Sequence, residues 1–151
     1  MAGFTNRGKK HILDVVYRNA AEPTNYYVAL VTSAVAPTAD TNTLSELTEI
    51  AAGNGYTAGG FQLARNSTDF DVSTEDDALD RALVQVKDVV WTAAGGNLPA
   101  SGNGARYAVL TDDNATLGSR EVHAFWSLGS DRTVSDGQPL TLQNLELRLT
   151  E

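Results

Sequence analysis

The chain has 151 residues, 42% of them apolar and 20% charged, with no cysteine and a formal net charge of −8. That length holds a single domain able to bury a core without a metal or disulfide staple. The missing cysteines exclude a disulfide framework, thiol catalysis and thiolate metal sites, and the acidity disfavours nucleic acid, whose phosphates are bound by Lys and Arg.

No apolar run approaches the roughly 18 residues of a membrane span. The opening MAGFTNRGKKHILDVVYRN has bases but no continuous apolar stretch followed by small residues, so no signal peptide is expected and the protein is expected to fold in a cytoplasm. Charge is unevenly placed. Residues 1–20 carry Arg7, Lys9, Lys10 and Arg18 against Asp14, a net of +3, while the remainder nets −11. A basic leader on an acidic body suggests docking by the leader. The expected organisation is a basic arm and helix over 1–20, followed by a single β-rich domain over 21–151.

Ile12, Leu13, Val15, Val16 and Tyr17 recur at helical spacing, which predicts a helix over 9–19. Thr5 or Asn6 could cap its start, and Glu22-Pro23 ends it. So short a helix must dock its apolar stripe to be stable. Residues 26–32 (YYVALVT) read as a strand apolar on both faces, fit for a central position. A loop follows over 33–42. Thr43 and Glu46 match a capping box, with Leu44, Leu47 and Ile50 on the stripe of a two-turn helix stopped by Gly53-Asn54-Gly55.

From Tyr56 the pattern is β. Residues 56–63 form a loose strand containing Gly59-Gly60, and residues 66–80 form a polar, acidic loop. Residues 81–91 form one long strand, and 92–104 (TAAGGNLPASGNG) a flexible loop. Strands are expected over 107–111 and through the alternating Val122, Ala124, Trp126 and Leu128. In the last strand Leu140 and Leu142 give way to Leu145, Leu147 and Leu149, a parity change at Gln143-Asn144 that reads as a β-bulge. Such strands need a second layer. The expected fold is mainly β, a compact sandwich or barrel-like domain with a short N-terminal helix and one short inserted helix.

The order of segments resembles a family of small tailed-phage virion structural proteins. The pieces that carry the resemblance are the start Met1 to Asn6, Tyr27 to Thr38 (YVALVTSAVAPT), Gly53 to Tyr56 (GNGY), Val84 to Trp91, Tyr107 to Leu128, and Val134 to Leu149. Residues 39–52 and the acidic run from Asp69 to Asp80 depart from the family pattern. Members sit on phage heads or tails. The resemblance implies a non-enzymatic capsid decoration or cement subunit on the outer head surface, with no cofactor. Its partners would be the major capsid protein or other virion subunits and copies of itself, in a small closed oligomer such as a trimer. The alternative is a tail-associated structural or host-surface carbohydrate-binding module that uses exposed aromatics.

The favoured contact residues are Arg7, Lys9, Lys10 and Arg18, as a basic leader that meets an acidic neighbouring subunit. Removing residues 1–10 is then expected to leave a folded body. The segments 33–42 and 92–104 are candidate contact loops. His11 and His123, the only histidines, lack a third nitrogen or sulfur ligand and are read as structural. The run Asp69, Asp71, Ser73, Glu75, Asp77, Asp80 has the oxygen spacing of a calcium loop, but Thr74 replaces the turn glycine and Asp80 the bidentate Glu. A solvated acidic loop is favoured there over a divalent-ion site. Asp112, Asp113 and Glu121 could form an acid pair for glycoside hydrolysis, but turn acids are commonly solvated. Trp91, Trp126, Tyr26, Tyr27, Tyr56 and Tyr107 are read chiefly as core, with a sugar-binding surface as the other reading.

Overall fold

The computed structural model describes residues 2–150. It is mainly β, as the composition predicts, and consists of two layers. The first is a five-stranded antiparallel sheet of order β1-β8-β7-β2-β3: β1 is Ala2–Phe4, β2 Asn25–Val31, β3 Phe61–Ala64, β7 Ala105–Thr111 and β8 Val122–Arg132. The second comprises β4 (Val72–Asp76), β5 (Arg81–Val86) and β10 (Leu145–Thr150) in the order β10-β5-β4, with the pair β6 (Val89–Thr92) and β9 (Pro139–Leu142). Helix α1 spans Asn6–Arg18. Among the described residues no helix is long and apolar enough to cross a membrane.

The residue pattern explains the layers. Val28, Ala29, Leu30 and Val31 of β2 are all fully buried, because both faces of the first sheet are covered. Val28, Leu30 and Leu63 face the second layer and pack with Val86, Val89, Trp91, Trp126 and Leu140. Ala29 and Val31 point the other way, with Val109, Val122 and Phe125, under Leu44 and Leu47.

The stretch read as one strand over 81–91 is two strands in different sheets. Val86 is buried before the break at Lys87-Asp88, and Val89 and Trp91 after it, so the inward parity changes there. The change at Gln143-Asn144 is likewise no bulge but the junction of β9 and β10. The two breaks face each other: Val86 pairs with Leu145 on one side and Val89 with Leu142 on the other. The ribbon therefore bends as a unit. Gln143 Nε2 donates to Asp88 Oδ2 across the bend at 2.8 Å, and Asn144 takes a left-handed φ of 55°, which Asn tolerates better than most residues.

The inserted helix is a single 3-10 turn, Leu44–Glu46. The carboxylate half of the capping box is present, Glu46 Oε1 accepting from Thr43 N at 3.1 Å. The chain then extends along β2: Thr32 N donates to Thr48 O and Ile50 N to Leu30 O. Pairing with a strand satisfies these backbone groups better than a second helical turn would. Leu44 and Leu47 cover one face of the sheet, and Ile50 reaches the core on the other. Gly53 and Tyr56 bond to each other around Asn54 and Gly55, both at positive φ, as a tight hairpin turn requires. Strand β3 begins only at Phe61.

Two loops are also revised. Val72–Asp76 forms β4 within the stretch read as an acidic loop, and pairs with β5 from Val72–Gln85 to Asp76–Arg81. Residues 92–104 are held down. Leu98 is fully buried and exchanges backbone hydrogen bonds with Val134, and Gly95 N donates to Asp136 Oδ1.

If Leu98 belongs to the core, Leu98→Ala costs about 2–5 kcal/mol in urea unfolding, the range for a buried leucine. A loss below about 0.5 kcal/mol would match an ordinary surface site and contradict the packing.

Candidate interaction surface

Helix α1 is seated by its first turn. Thr5 is fully buried, and its Oγ1 accepts from Gly8 N at 2.9 Å while donating to Val122 O at 2.5 Å. Thr5 N donates to His123 O at 2.9 Å, and Asn6 N to Ala39 O at 2.7 Å. Gly8 rests on β8: a Cβ there would lie 2.1 Å from His123 O. Residues 2–4 pair with β8 as an edge strand. The leader is thus built into the sheet, and deleting residues 1–10 would strip an edge strand and a cap rather than a free arm.

This seating fixes the rotation of α1. Gly8 faces the sheet, with His11, Ile12 and Val15 half-buried nearby. Leu13, Val16 and Tyr17 are 56%, 63% and 79% exposed. The stripe expected to dock is therefore split, and its larger half faces outward. Leu13, Val16 and Tyr17 share a face through i, i+3 and i+4 spacing, with Lys9 and Lys10 one turn earlier on it. Covering such side chains is favourable by roughly 1.5–3 kcal/mol for each one fully buried.

The four predicted contact bases separate. Lys9 is exposed and has no ion pair among the described residues. Lys10 pairs with Asp14, and Arg18 Nη1 lies 3.4 Å from Asp14 Oδ1. The hydrogen bond from Lys10 holds the Asp14 carboxyl below the usual range, assisted by both positive charges. Arg7 is half-buried, its Nε 3.4 Å from Glu121 Oε1. Lys9 and Lys10 thus belong to the outward face, whereas Arg7 braces α1 against the residue preceding β8.

The two histidines meet beneath α1. Their rings stack at 4.4 Å and 24°, and His11 Nε2 lies 3.2 Å from Tyr26 Oη. Tyr26 meets Phe70 edge-on at 5.9 Å. Because ring-nitrogen lone pairs lie in the ring planes, stacked imidazoles do not aim them at one ion. His123 is buried, and its Nε2 has no hydrogen-bond partner among the described residues. Burial, then the positive charge of His11 and Arg7, pushes its pKa down to about 3. Burial also pushes the Tyr26 hydroxyl up to about 12, with Asp112 and Asp113 adding to the shift.

The remaining candidate residues take structural positions. Ser73 and Glu75 lie exposed in the extended strand β4, not in a curled ion-binding loop. Asp69 accepts from Ala64 N and pairs with Lys87. Asp71, Asp77 and Asp80 are exposed around the β4–β5 hairpin. Among the described residues no three His, Cys, Asp or Glu side chains converge. Asp112 Oδ1 accepts from Glu121 N, and Asp113 Oδ2 from Thr24 N and Asn25 N, so both carboxylates tie strand ends. Trp91 and Trp126 are buried, the first against Phe61 and Tyr56, the second donating Nε1–H to Glu146 O at 2.9 Å. Tyr56 is buried too, its hydroxyl donating to Glu49 Oε1 and accepting from Leu30 N. Tyr27 and Tyr107 are half-buried. Among the described residues the outward aromatic is Tyr17, which the sequence pattern places in an apparently docked stripe. Of the candidate contact loops, 33–42 exposes Val35 but is pinned to α1 through Ala39 and Asp40.

No family model, curated protein or solved structure matches this chain.

Two outcomes test the seating of α1. Gly8→Ala, which gains about 1 kcal/mol in a free helix, lowers stability here because its Cβ meets the His123 carbonyl; a raised melting temperature would contradict the contact. His123 has its folded pKa below its unfolded value of 6.5. Its contribution is intact above about 6.5 and is lost as pH falls toward about 3, since the unfolded chain takes up a proton that the folded one refuses. The slope reaches at most about 1.4 kcal/mol per pH unit. Urea unfolding of His123→Leu against the parent between pH 7 and 5 is expected to show a shallower acid limb; identical limbs would place His123 in solvent.

Proposed function

We propose that the protein is a non-enzymatic structural subunit of a tailed-phage particle, a capsid decoration or cement protein that ties neighbouring subunits together. The observation that carries this reading is the outward face of α1, where Leu13, Val16 and Tyr17 lie beside Lys9 and Lys10 on a helix fixed rigidly to a sandwich. An apolar centre with a charged rim is the anatomy of a protein contact. The resemblance in segment order supplies the setting, a virion with its repeated subunits. Repetition makes modest contacts effective, because each bound copy is held by several at once. Contact through a preformed helix limits the ordering cost. The burial of Trp91 and Trp126 weighs against a carbohydrate-binding surface built on them.

Purified virions of the encoding phage are expected to contain the protein at a copy number that follows the capsid lattice, measured by quantitative mass spectrometry. Added back to particles lacking it, the protein rebinds, and Lys9→Glu with Lys10→Glu weakens rebinding about tenfold or more, roughly 1.4 kcal/mol, with an unchanged circular dichroism spectrum. Virions without any copy would end this reading.

A further inference from the structure

Strand β4 and the turn that joins it to β5 stand outside the core. Among the described residues β5 is the only strand partner of β4, and Val72, Ser73, Thr74 and Glu75 are all exposed. The connection 77–80 is exposed throughout, with Leu79 59% exposed at the turn. Residues 71–81 carry Asp71, Glu75, Asp76, Asp77 and Asp80 against Arg81, a net of −4. Arg81 is taken up by Asp76 at 3.0 Å. Asp77 and Asp80 have no ion pair among the described residues. The hairpin is therefore an acidic projection with an apolar tip, and two of its carboxylates flank that tip.

The outward face of α1 is the converse: Leu13, Val16 and Tyr17 lie beside Lys9, which has no ion pair among the described residues, and Lys10, which shares the single carboxylate of Asp14 with Arg18. We infer that the acidic neighbour of α1 is a second copy of this chain: the hairpin tip of one copy docks on the α1 face of another, Leu79 against Leu13, Val16 and Tyr17, and Asp77 and Asp80 against Lys9 and Lys10. Charge complementarity selects this occupant, because it joins the basic segment of the chain to an acidic projection that carries its own exposed leucine. Two copies can satisfy each other's faces, or a ring can close with each tip in the next copy's face. Opposed charges set register and association rate, and the leucine contact slows dissociation. The inference rests on reading α1 as a subunit-contact face, but not on the particle.

The test uses isolated protein. Light scattering of the parent is expected to give a multiple of the 16.1 kDa chain mass, with dissociation rising steeply with salt. Asp77→Lys with Asp80→Lys, or Lys9→Glu with Lys10→Glu, each weakens self-association about tenfold or more. Mixing the two variants restores assembly, since each then supplies what the other lacks. Because the chain has no cysteine, oxidation of a mixture of Val16→Cys and Leu79→Cys variants should yield a crosslinked heterodimer well above the homodimers. A monomeric parent, unchanged assembly in both reversals, or no enrichment of the mixed crosslink would overturn the inference. Virions that hold the protein while its isolated form is monomeric would sink the self-contact alone, leaving the particle assignment in place.

Discussion

The contact of Gly8 with the His123 backbone governs what this protein presents to its surroundings. A helix can lie this close to a strand only where a side chain is missing. The same turn is closed by Thr5, whose hydroxyl bonds at once to the helix and to β8. One residue sets the distance and the other the direction. Together they determine which half of an apolar stripe is hidden and which half remains in water. His123 fills the space beneath, stacked on His11, and an imidazolium at that buried position would be costly.

On the opposite layer the shared bend at Lys87-Asp88 and Gln143-Asn144 has a comparable consequence. It turns one long ribbon into two short pairs that wrap the core, so Val86 and Leu145 close one half and Val89 and Leu142 the other. Beyond the Val84–Leu147 pair the ribbon runs past the edge of the core. There β5 carries β4 outward, where polar alternation has no apolar face to bury. The projecting hairpin and the exposed helix face are thus by-products of how the two layers close. The assembly role proposed above calls for such features: a stiff body with a tip and a face that stay available.

Much of the fold is legible from residue order. The β2 strand, the β7–β8 pair and the two-layer architecture follow from apolar runs and alternation, and Thr5 is recognisable as a cap. Other parts mislead for identifiable reasons. Leu44, Leu47 and Ile50 have a spacing compatible with a helix, but three-residue spacing also serves a 3-10 turn followed by a strand-like segment, and pairing with β2 decides between them. The strand β4 escapes notice because exposed strands lack the apolar alternation by which strands are recognised. A parity change looks the same whether it marks a bulge or a passage from one sheet to another.

The candidate surface divides along the same line. Sequence alone determined the secondary-structure class, the basic beginning, the acidic segment at 69–80 and the central position of β2, because propensity, charge and local apolar pattern are properties of short stretches. Tertiary structure alone decided that His11 would stack on His123, that Arg7 would brace Glu121 while Lys9 stayed in solvent, and that Leu13, Val16 and Tyr17 would face outward. These outcomes depend on the rotation of one helix against a distant strand, and that rotation is set by a steric contact between Gly8 and residue 123 that no local pattern records.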